Sequence, residues 1–135
     1  MLDLKVTNLA ESAETGFEFE LLLPESKDKT GGFITVRGSQ SPTVRNYSKR
    51  KWQEYNVKVQ QAKRRGKDVE DMTLDEAEDL AVENAINRII SWRGIGEDGK
   101  ELPFTKENAE QVLRKHTWIR EQIMEESDNL LNFQR

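Results

Sequence analysis

The sequence contains no cysteine and only one histidine, His116. Without cysteine, the chain can form neither a disulfide framework nor a thiolate metal site. A zinc site with a single histidine would have to depend on carboxylates, which is unusual. His116 falls on the apolar stripe of a predicted helix, so we expect a core or half-buried histidine rather than a catalytic one. The sequence therefore predicts no catalytic residue, no metal site and no cofactor, as in a protein that is not an enzyme.

Long apolar runs are also missing from the sequence. No window approaches the roughly 18 consecutive apolar residues of a membrane-spanning helix, so we expect no contact with a membrane. Met1 is followed by Leu-Asp-Leu-Lys, not by a basic stretch and an apolar run, and no secretion signal is expected. These observations predict a cytoplasmic location.

Two motifs that bind ions or phosphates are incomplete here. The acids of residues 68–75 lack the glycine and the glutamate that an EF-hand loop places after them. The glycines of residues 94–99 lie in neither a dinucleotide-binding nor a P-loop arrangement, and a hairpin turn is the better interpretation.

The composition indicates one domain with a thin core. Hydrophobic residues make up 35% of the 135-residue chain and charged residues 34%. That length suffices to fold without a metal or a disulfide. We predict a single domain over residues 1–135, mainly β over 1–40 and mainly α over 41–135.

The first third of the chain shows the pattern of β-strands. Residues 15–23 alternate, so that one face carries Phe17, Phe19, Leu21 and Leu23. A second β-rich run covers residues 33–37, and the two runs predict an antiparallel hairpin. Leu2 to Val6 could add a third strand at the edge.

The middle of the chain predicts two helices. Ser41 and Pro42 suit the start of the first, which ends near Gly66. Thr73 and Glu76 form a capping box that starts the second. The first helix has a narrow apolar stripe of Val44, Tyr47, Trp52, Tyr55, Val59 and Ala62. The second has a wider one of Leu74, Ala77, Ala81, Val82, Ala85, Ile86 and Ile89, which predicts the most buried helix of the protein.

The last third predicts a small hairpin and two further helices. Asp98-Gly99 is a tight-turn signal within a hairpin near residues 92–103. Thr105 caps a short helix, and a last helix covers about 117–132. The predicted fold class is therefore α+β, with an N-terminal antiparallel β-hairpin or small sheet packed with a bundle of about four α-helices.

Charge is strongly segregated along the two middle helices. Residues 45–67 hold nine basic residues and one acid, and residues 68–83 hold eight acids and no base. We expect an antiparallel helical pair with complementary charge. Nucleic-acid binding by the basic helix is the weaker interpretation, because Trp52 and Tyr55 fall on the predicted core stripe and the chain is acidic, with a pI of about 5.2.

The last helix carries an apolar side near the end of the sequence. Two interpretations remain open: the helix docks on the domain, or it detaches and binds a helix of a partner. The residues concerned are Ile119, Ile123, Leu130, Leu131 and Phe133.

Several short segments follow one another in a characteristic order along the chain. They are Gly32-Phe-Ile-Thr-Val-Arg-Gly38, Ser39-Gln-Ser-Pro42, Ile90-Ser-Trp92, Trp92-Arg-Gly-Ile95 and Leu102-Pro-Phe-Thr-Lys-Glu-Asn-Ala109. The most specific part is a tryptophan and glycine, a turn of Glu-Asp-Gly-Lys, and then Pro-Phe-Thr-Lys-Glu-Asn-Ala. Over roughly residues 15–133, this order resembles the tail assembly chaperones of long-tailed phages.

The resemblance implies a phage or prophage protein of the host cytoplasm that is absent from the mature virion. Such chaperones bind the tape measure protein and keep it soluble until tail tube protein polymerises around it. We accordingly predict the tape measure protein as partner, with tail tube protein and a second copy of the chain as further candidates. A nucleic-acid-binding regulator and a structural tail completion or connector protein remain alternatives. The predicted partner-binding residues are Ile119, Ile123, Leu130, Leu131 and Phe133 of the last helix, and Lys49, Arg50 and Lys58 of the basic helix.

Overall fold

The computed structural model describes residues 1–5 and 8–134 and has the α+β fold class that the sequence predicts. Its centre is a three-stranded antiparallel sheet in the order β1-β2-β3. A separate two-stranded hairpin is formed by β4 and β5. The strands are β1 Phe17–Leu22, β2 Lys29–Val36, β3 Ile89–Arg93, β4 Gly96–Glu97 and β5 Lys100–Glu101. The helices are α1 Leu9–Thr15, α2 Pro42–Arg64, α3 Leu74–Arg88, α4 Lys106–Lys115 and α5 Thr117–Asp128, followed by a 3-10 helix over Leu130–Phe133.

The N-terminal hairpin confirms the predicted alternation. Phe19 pairs with Ile34 across the two strands, and both side chains are buried. Leu21 shares this inner face, whereas Leu23 lies beyond the end of β1 and is exposed. The inner face of the sheet therefore begins the core, while Glu18 and Glu20 point away from it.

The third strand of the sheet is not the predicted one. Within Leu2–Lys5 the structure has no strand, and Val6 lies outside the described residues. The partner of β2 is instead β3, which includes Ile89, a residue that the helical pattern had assigned to α3. Both Ile89 and Ile90 are β-branched, which favours a strand, and Ile89 pairs with Val36 of β2 next to an irregularity of the register.

Helix α2 begins as predicted, but most of its length is not covered by the domain. The Ser41 hydroxyl accepts hydrogen bonds from the backbone N–H groups of Thr43 and Val44. With 23 residues, the helix is about 35 Å long. Its buried residues, Val44 and Tyr47, both lie in the first two turns. The expectation that Trp52 and Tyr55 face the core is wrong.

Helix α3 is not the most buried helix, contrary to the prediction. Its second half packs into the core through Val82 and Ala85, but Leu74 and Leu80 in the first half are exposed. The wide apolar arc thus faces two sets of neighbours, α4 and α5 on one side and α2 on the other. Because α2 and the first half of α3 extend from the domain, the predicted bundle of four helices matches only roughly.

Helices α4 and α5 complete the core beside α3 and the sheet. Both α4 and α5 pack against α3, and α5 also contacts the sheet. The Gln122 amide extends this contact by donating to the Leu22 carbonyl at 2.7 Å and accepting from its N–H at 3.0 Å. The core consists of Ala13, Phe19, Leu21, Ile34, Val36, Val82, Ala85, Ile89, Trp92, Ala109, Val112, Leu113, Ile119, Ile123 and Phe133.

The small hairpin and the end of the chain agree with the prediction in part. Asp98 and Gly99 form the turn between β4 and β5 with positive φ angles of 53° and 77°. Helix α5 starts at Thr117 as predicted but ends at Asp128, and a 3-10 turn follows. Of the helices within the described ranges, none has both the length and the apolar character needed to cross a bilayer.

Candidate protein-binding groove

Helices α2 and α3, together with the loop 65–73, form a projection that we call the arm. Between the two helices lies an open groove, the arm groove, with a volume of about 590 Å³. Apolar side chains line most of it. The lining residues are Tyr47, Ser48, Lys51, Trp52, Tyr55, Met72, Ala77, Leu80, Ala81 and Asn84.

Large apolar side chains of the groove are exposed to solvent. Trp52 is 67% exposed and Tyr55 is 56% exposed. Met72 and Leu80 are also exposed, so the patch continues from one helix to the other. Contiguous exposed apolar surface rimmed by charge is typical of protein–protein contact sites.

The base of the arm is fixed by a carboxylate of α1. Glu14 accepts hydrogen bonds from the Ser41 and Thr43 hydroxyls, the latter at 2.5 Å. The Arg37 guanidinium lies 3.5 Å from the same carboxylate. These hydrogen bonds, from Ser41 first and then Thr43, lower the pKa of Glu14 to about 2. A charge at this position also favours the N-terminus of α2.

A single ion pair connects the two helices of the arm within the described residues. The Lys51 ammonium lies 2.8 Å from the Glu83 carboxylate and 3.4 Å from Glu54 on its own helix. The hydrogen bond to Glu83 is the main cause of a raised pKa at Lys51. Asp79 of α3 pairs instead with Arg114 of α4, at 2.7 Å. The two helices carry opposite charge, as predicted, but most of their charged side chains form no ion pair within the part of the chain that the structure describes.

The predicted basic contact residues all lie on the exposed surface of α2. Lys49 and Arg50 are exposed, and the Arg50 guanidinium lies 5.5 Å from the centre of the Tyr47 ring. Lys58 lines a second groove of about 630 Å³, where the loop packs beside the end of α2. Tyr55 and Met72 line both grooves, so the two are continuous.

The predicted contact residues near the end of the chain divide into two groups. Ile119, Ile123 and Phe133 are buried in the core. Leu130 and Leu131 are exposed. In the folded chain only the latter pair is accessible, and contact through the other three would require α5 to leave the domain. Their part in partner binding stays a prediction.

His116 does not occupy the predicted core position. It is exposed, because α4 ends at Lys115 and His116 lies at the junction with α5. Residues 1–5 and 8–134 contain no group of three or more histidines and acids placed to hold a metal ion.

The apolar residues of the arm groove were not among the predicted contact residues. The spacing of Trp52 and Tyr55 matches a buried stripe, which predicted that both face the core. The length of α2 is a signal for their exposure. A helix of about 35 Å is longer than the partner elements that the rest of a 135-residue chain offers as cover.

An exposed apolar groove rimmed by charge, as the arm carries, is a feature typical of protein contact surfaces. Comparison with protein-family models gives a match to the YdaY prophage protein family over residues 40–135, so the chain belongs to this family of prophage proteins. The matched region includes the whole arm together with α4 and α5. Neither the curated proteins nor the solved structures contain a match to the chain.

Proposed function

We propose that this prophage protein is a non-enzymatic tail assembly chaperone that binds the tape measure protein and keeps it soluble until the tail tube polymerises. The observation that supports this proposal most is the arm groove, with Trp52, Tyr55 and Leu80 exposed along it. Membership in a prophage family agrees with a role in phage assembly. The protein would act in the host cytoplasm and leave before the virion is complete.

The chemistry of the groove suits an amphipathic helix as client. An apolar face of such a helix can cover Trp52 and Leu80, while its polar edges meet the charged flanks of the arm. Large aromatic side chains in a partly formed pocket contribute most of the binding energy in contacts of this kind. A shallow, charge-rimmed groove also permits release, which tube assembly requires.

Co-expression with the tape measure protein of the same prophage tests this proposal. We expect the tape measure protein to stay soluble and to co-purify with a tagged copy of this chain at moderate salt. Tape measure protein that stays insoluble and unbound, beside an abundant and folded chain, would overturn the proposal. A chain that co-purifies with mature particles would instead indicate a structural tail completion or connector protein.

Nucleic-acid binding is a second candidate, and one observation favours it. Trp52 and Tyr55 are exposed beside the basic residues of α2, rather than buried as the sequence pattern indicated. Exposed aromatics beside lysine and arginine can stack on bases while the cations contact phosphates. Binding to single-stranded and duplex DNA at several salt concentrations tests this candidate. A steep loss of affinity with salt supports it, and no binding at low salt excludes it.

A further inference from the structure

The arm presents two rows of opposite charge, and few of these charges form ion pairs within the described residues. Among the described residues of α2, Lys51 alone lies within ion-pairing distance of an acid. The acids of α3 that pair are Glu83 and Asp79. The basic residues left without an ion pair in the described ranges are Arg45, Lys49, Arg50, Lys58, Lys63, Arg64, Arg65 and Lys67. The corresponding acids are Asp68, Glu70, Asp71, Asp75, Glu76 and Glu78.

The exposed apolar residues lie within these rows. Lys49 precedes Trp52 by three residues on α2, and Glu76 precedes Leu80 by four on α3, so each pair shares a helix face. A partner that covers Trp52 therefore meets positive charge beside it. A partner that covers Leu80 meets negative charge. The occupant of the groove must carry an apolar centre with an acidic edge on one side and a basic edge on the other.

A second copy of the arm has this arrangement of charge. We propose that the arm groove is covered by the arm of a second copy of the chain, in a two-fold symmetric dimer. A two-fold contact places the same surface on both partners, so α2 of each copy meets α3 of the other. Both rows of charge are then neutralised at once, and Trp52, Tyr55 and Leu80 of both copies become buried. This pairing goes beyond the proposed chaperone function and describes the chain without its client. The tape measure protein, proposed above for the same groove, would have to displace the second arm.

The charges also determine how the two arms of the dimer are oriented relative to each other. If the two-fold axis runs along the arm, α2 lies over the partner's α3 and both loops are at the same end. If the axis crosses the arm, α2 lies over the partner's α2, and like charges oppose each other across the contact. Like charges placed opposite one another in an interface are strongly unfavourable. The dimer therefore has its two 65–73 loops at the same end.

Charge reversal with mixing tests the contact. The basic-row variant carries Lys49→Glu and Lys63→Glu, and the acidic-row variant carries Asp71→Lys and Glu76→Lys. All four positions are exposed, so both variants should fold, which circular dichroism checks. Each variant alone opposes like charges, and we expect its self-association to weaken by about tenfold or more. Mixing the two should restore a dimer, because each altered row then meets its opposite.

Sedimentation equilibrium of the chain alone gives the readout. A dimeric wild type, weakened single variants and a restored mixture support the proposal. A wild type that stays monomeric at concentrations up to about 1 mM overturns it. Variants that dimerise as well as the wild type overturn it too, because the contact would then lie elsewhere. Because this experiment contains no tape measure protein, a failure to dimerise would not count against the chaperone proposal.

A single introduced cysteine tests the direction of the arms. The chain has no cysteine of its own, so Lys67→Cys supplies a unique thiol in the loop. With both loops at the same end, mild oxidation should link the two copies rapidly. The matched control is Lys29→Cys, an equally basic and exposed position at the start of β2. Cross-linking at Lys29→Cys but not at Lys67→Cys would overturn the proposed arrangement.

Discussion

The Glu14 carboxylate accepts a hydrogen bond from the Thr43 hydroxyl at 2.5 Å and one from the Thr43 backbone N–H at 3.2 Å. This contact joins α1 to the first turn of α2. Because the buried residues of α2 all lie in those first turns, the direction of the arm depends on how its base is held.

The first prediction concerns the dependence of stability on pH through Glu14. Its folded-state pKa of about 2 lies below the ordinary value of 4.5. The ionised carboxylate therefore stabilises the fold above about pH 4.5, and this contribution is lost as the pH falls toward 2. We expect Glu14→Gln to lower the free energy of unfolding by about 1 kcal/mol at pH 7, a modest figure because the side chain is partly exposed. At pH 3 the difference should shrink.

Urea unfolding at the two pH values, on wild type and Glu14→Gln, measures this difference. Glu11 lies on the same helix, is exposed, and makes no ion pair within the described residues, so Glu11→Gln is the matched control. A difference for Glu14→Gln that stays constant between pH 7 and pH 3 would contradict the proposed role of its charge.

The second prediction concerns Gly38, which lies where α1 and the 3-10 helix meet the sheet. A Cβ at this position would lie 2.9 Å from Ala13 Cβ and from the Phe133 ring, closer than such contacts allow. We expect Gly38→Ala to destabilise the protein by about 1–3 kcal/mol in thermal or urea unfolding. Gly32 is also buried, but an added Cβ there meets nothing nearer than 3.4 Å. Gly32→Ala should therefore cost less, and equal losses would be evidence against this packing.

The third prediction separates the two groups of residues near the end of the chain. Ile123 is fully buried, so Ile123→Ala should leave a cavity and cost about 2–5 kcal/mol of unfolding free energy. Leu131 is 73% exposed, and Leu131→Ala should change stability by no more than about 0.5 kcal/mol. Chemical denaturation distinguishes the two variants. If Ile123→Ala proved as stable as wild type, α5 would not be docked as the structure places it.

The fourth prediction concerns Gln122 at the edge of β1. Its amide pairs with both backbone groups of Leu22, next to the irregular register between Glu20 and Leu22. Gln122→Ala should leave these groups unpaired and cost about 1–3 kcal/mol. Hydrogen exchange at the Leu22 amide should increase together with this loss. The Leu22 amide would keep its protection if Gln122 had no part in it.

Local signals in the sequence predicted several elements well. Ser41-Pro42 marks the start of α2 and Asp98-Gly99 marks a turn, because both depend on backbone chemistry within a few residues. The alternation around Phe19 predicted the inner face of β1 for the same reason. The sequence did not indicate α1, whose seven residues provide too short a pattern.

Features set by distant contacts could not be predicted in this way. Ile89 and Ile90 extend the apolar pattern of α3, and only pairing with β2 decides that they form a strand. The exposure of Trp52 could not be predicted either, because helical spacing defines an apolar stripe but not which element covers it. The charge segregation that the sequence showed is present in the arm. Only the structure shows that, among residues 1–5 and 8–134, most of these charges have no ion pair.

The central claim is that the arm groove is the surface that binds the tape measure protein. The most direct test compares two matched variants in co-expression with that protein: Leu80→Asp in the groove and Leu23→Asp at the end of β1. The two leucines are 37% and 42% exposed, so either charge should be tolerated by the fold. We expect Leu80→Asp to lose the soluble complex and Leu23→Asp to keep it. Equal recovery of the complex with both variants would contradict the claim.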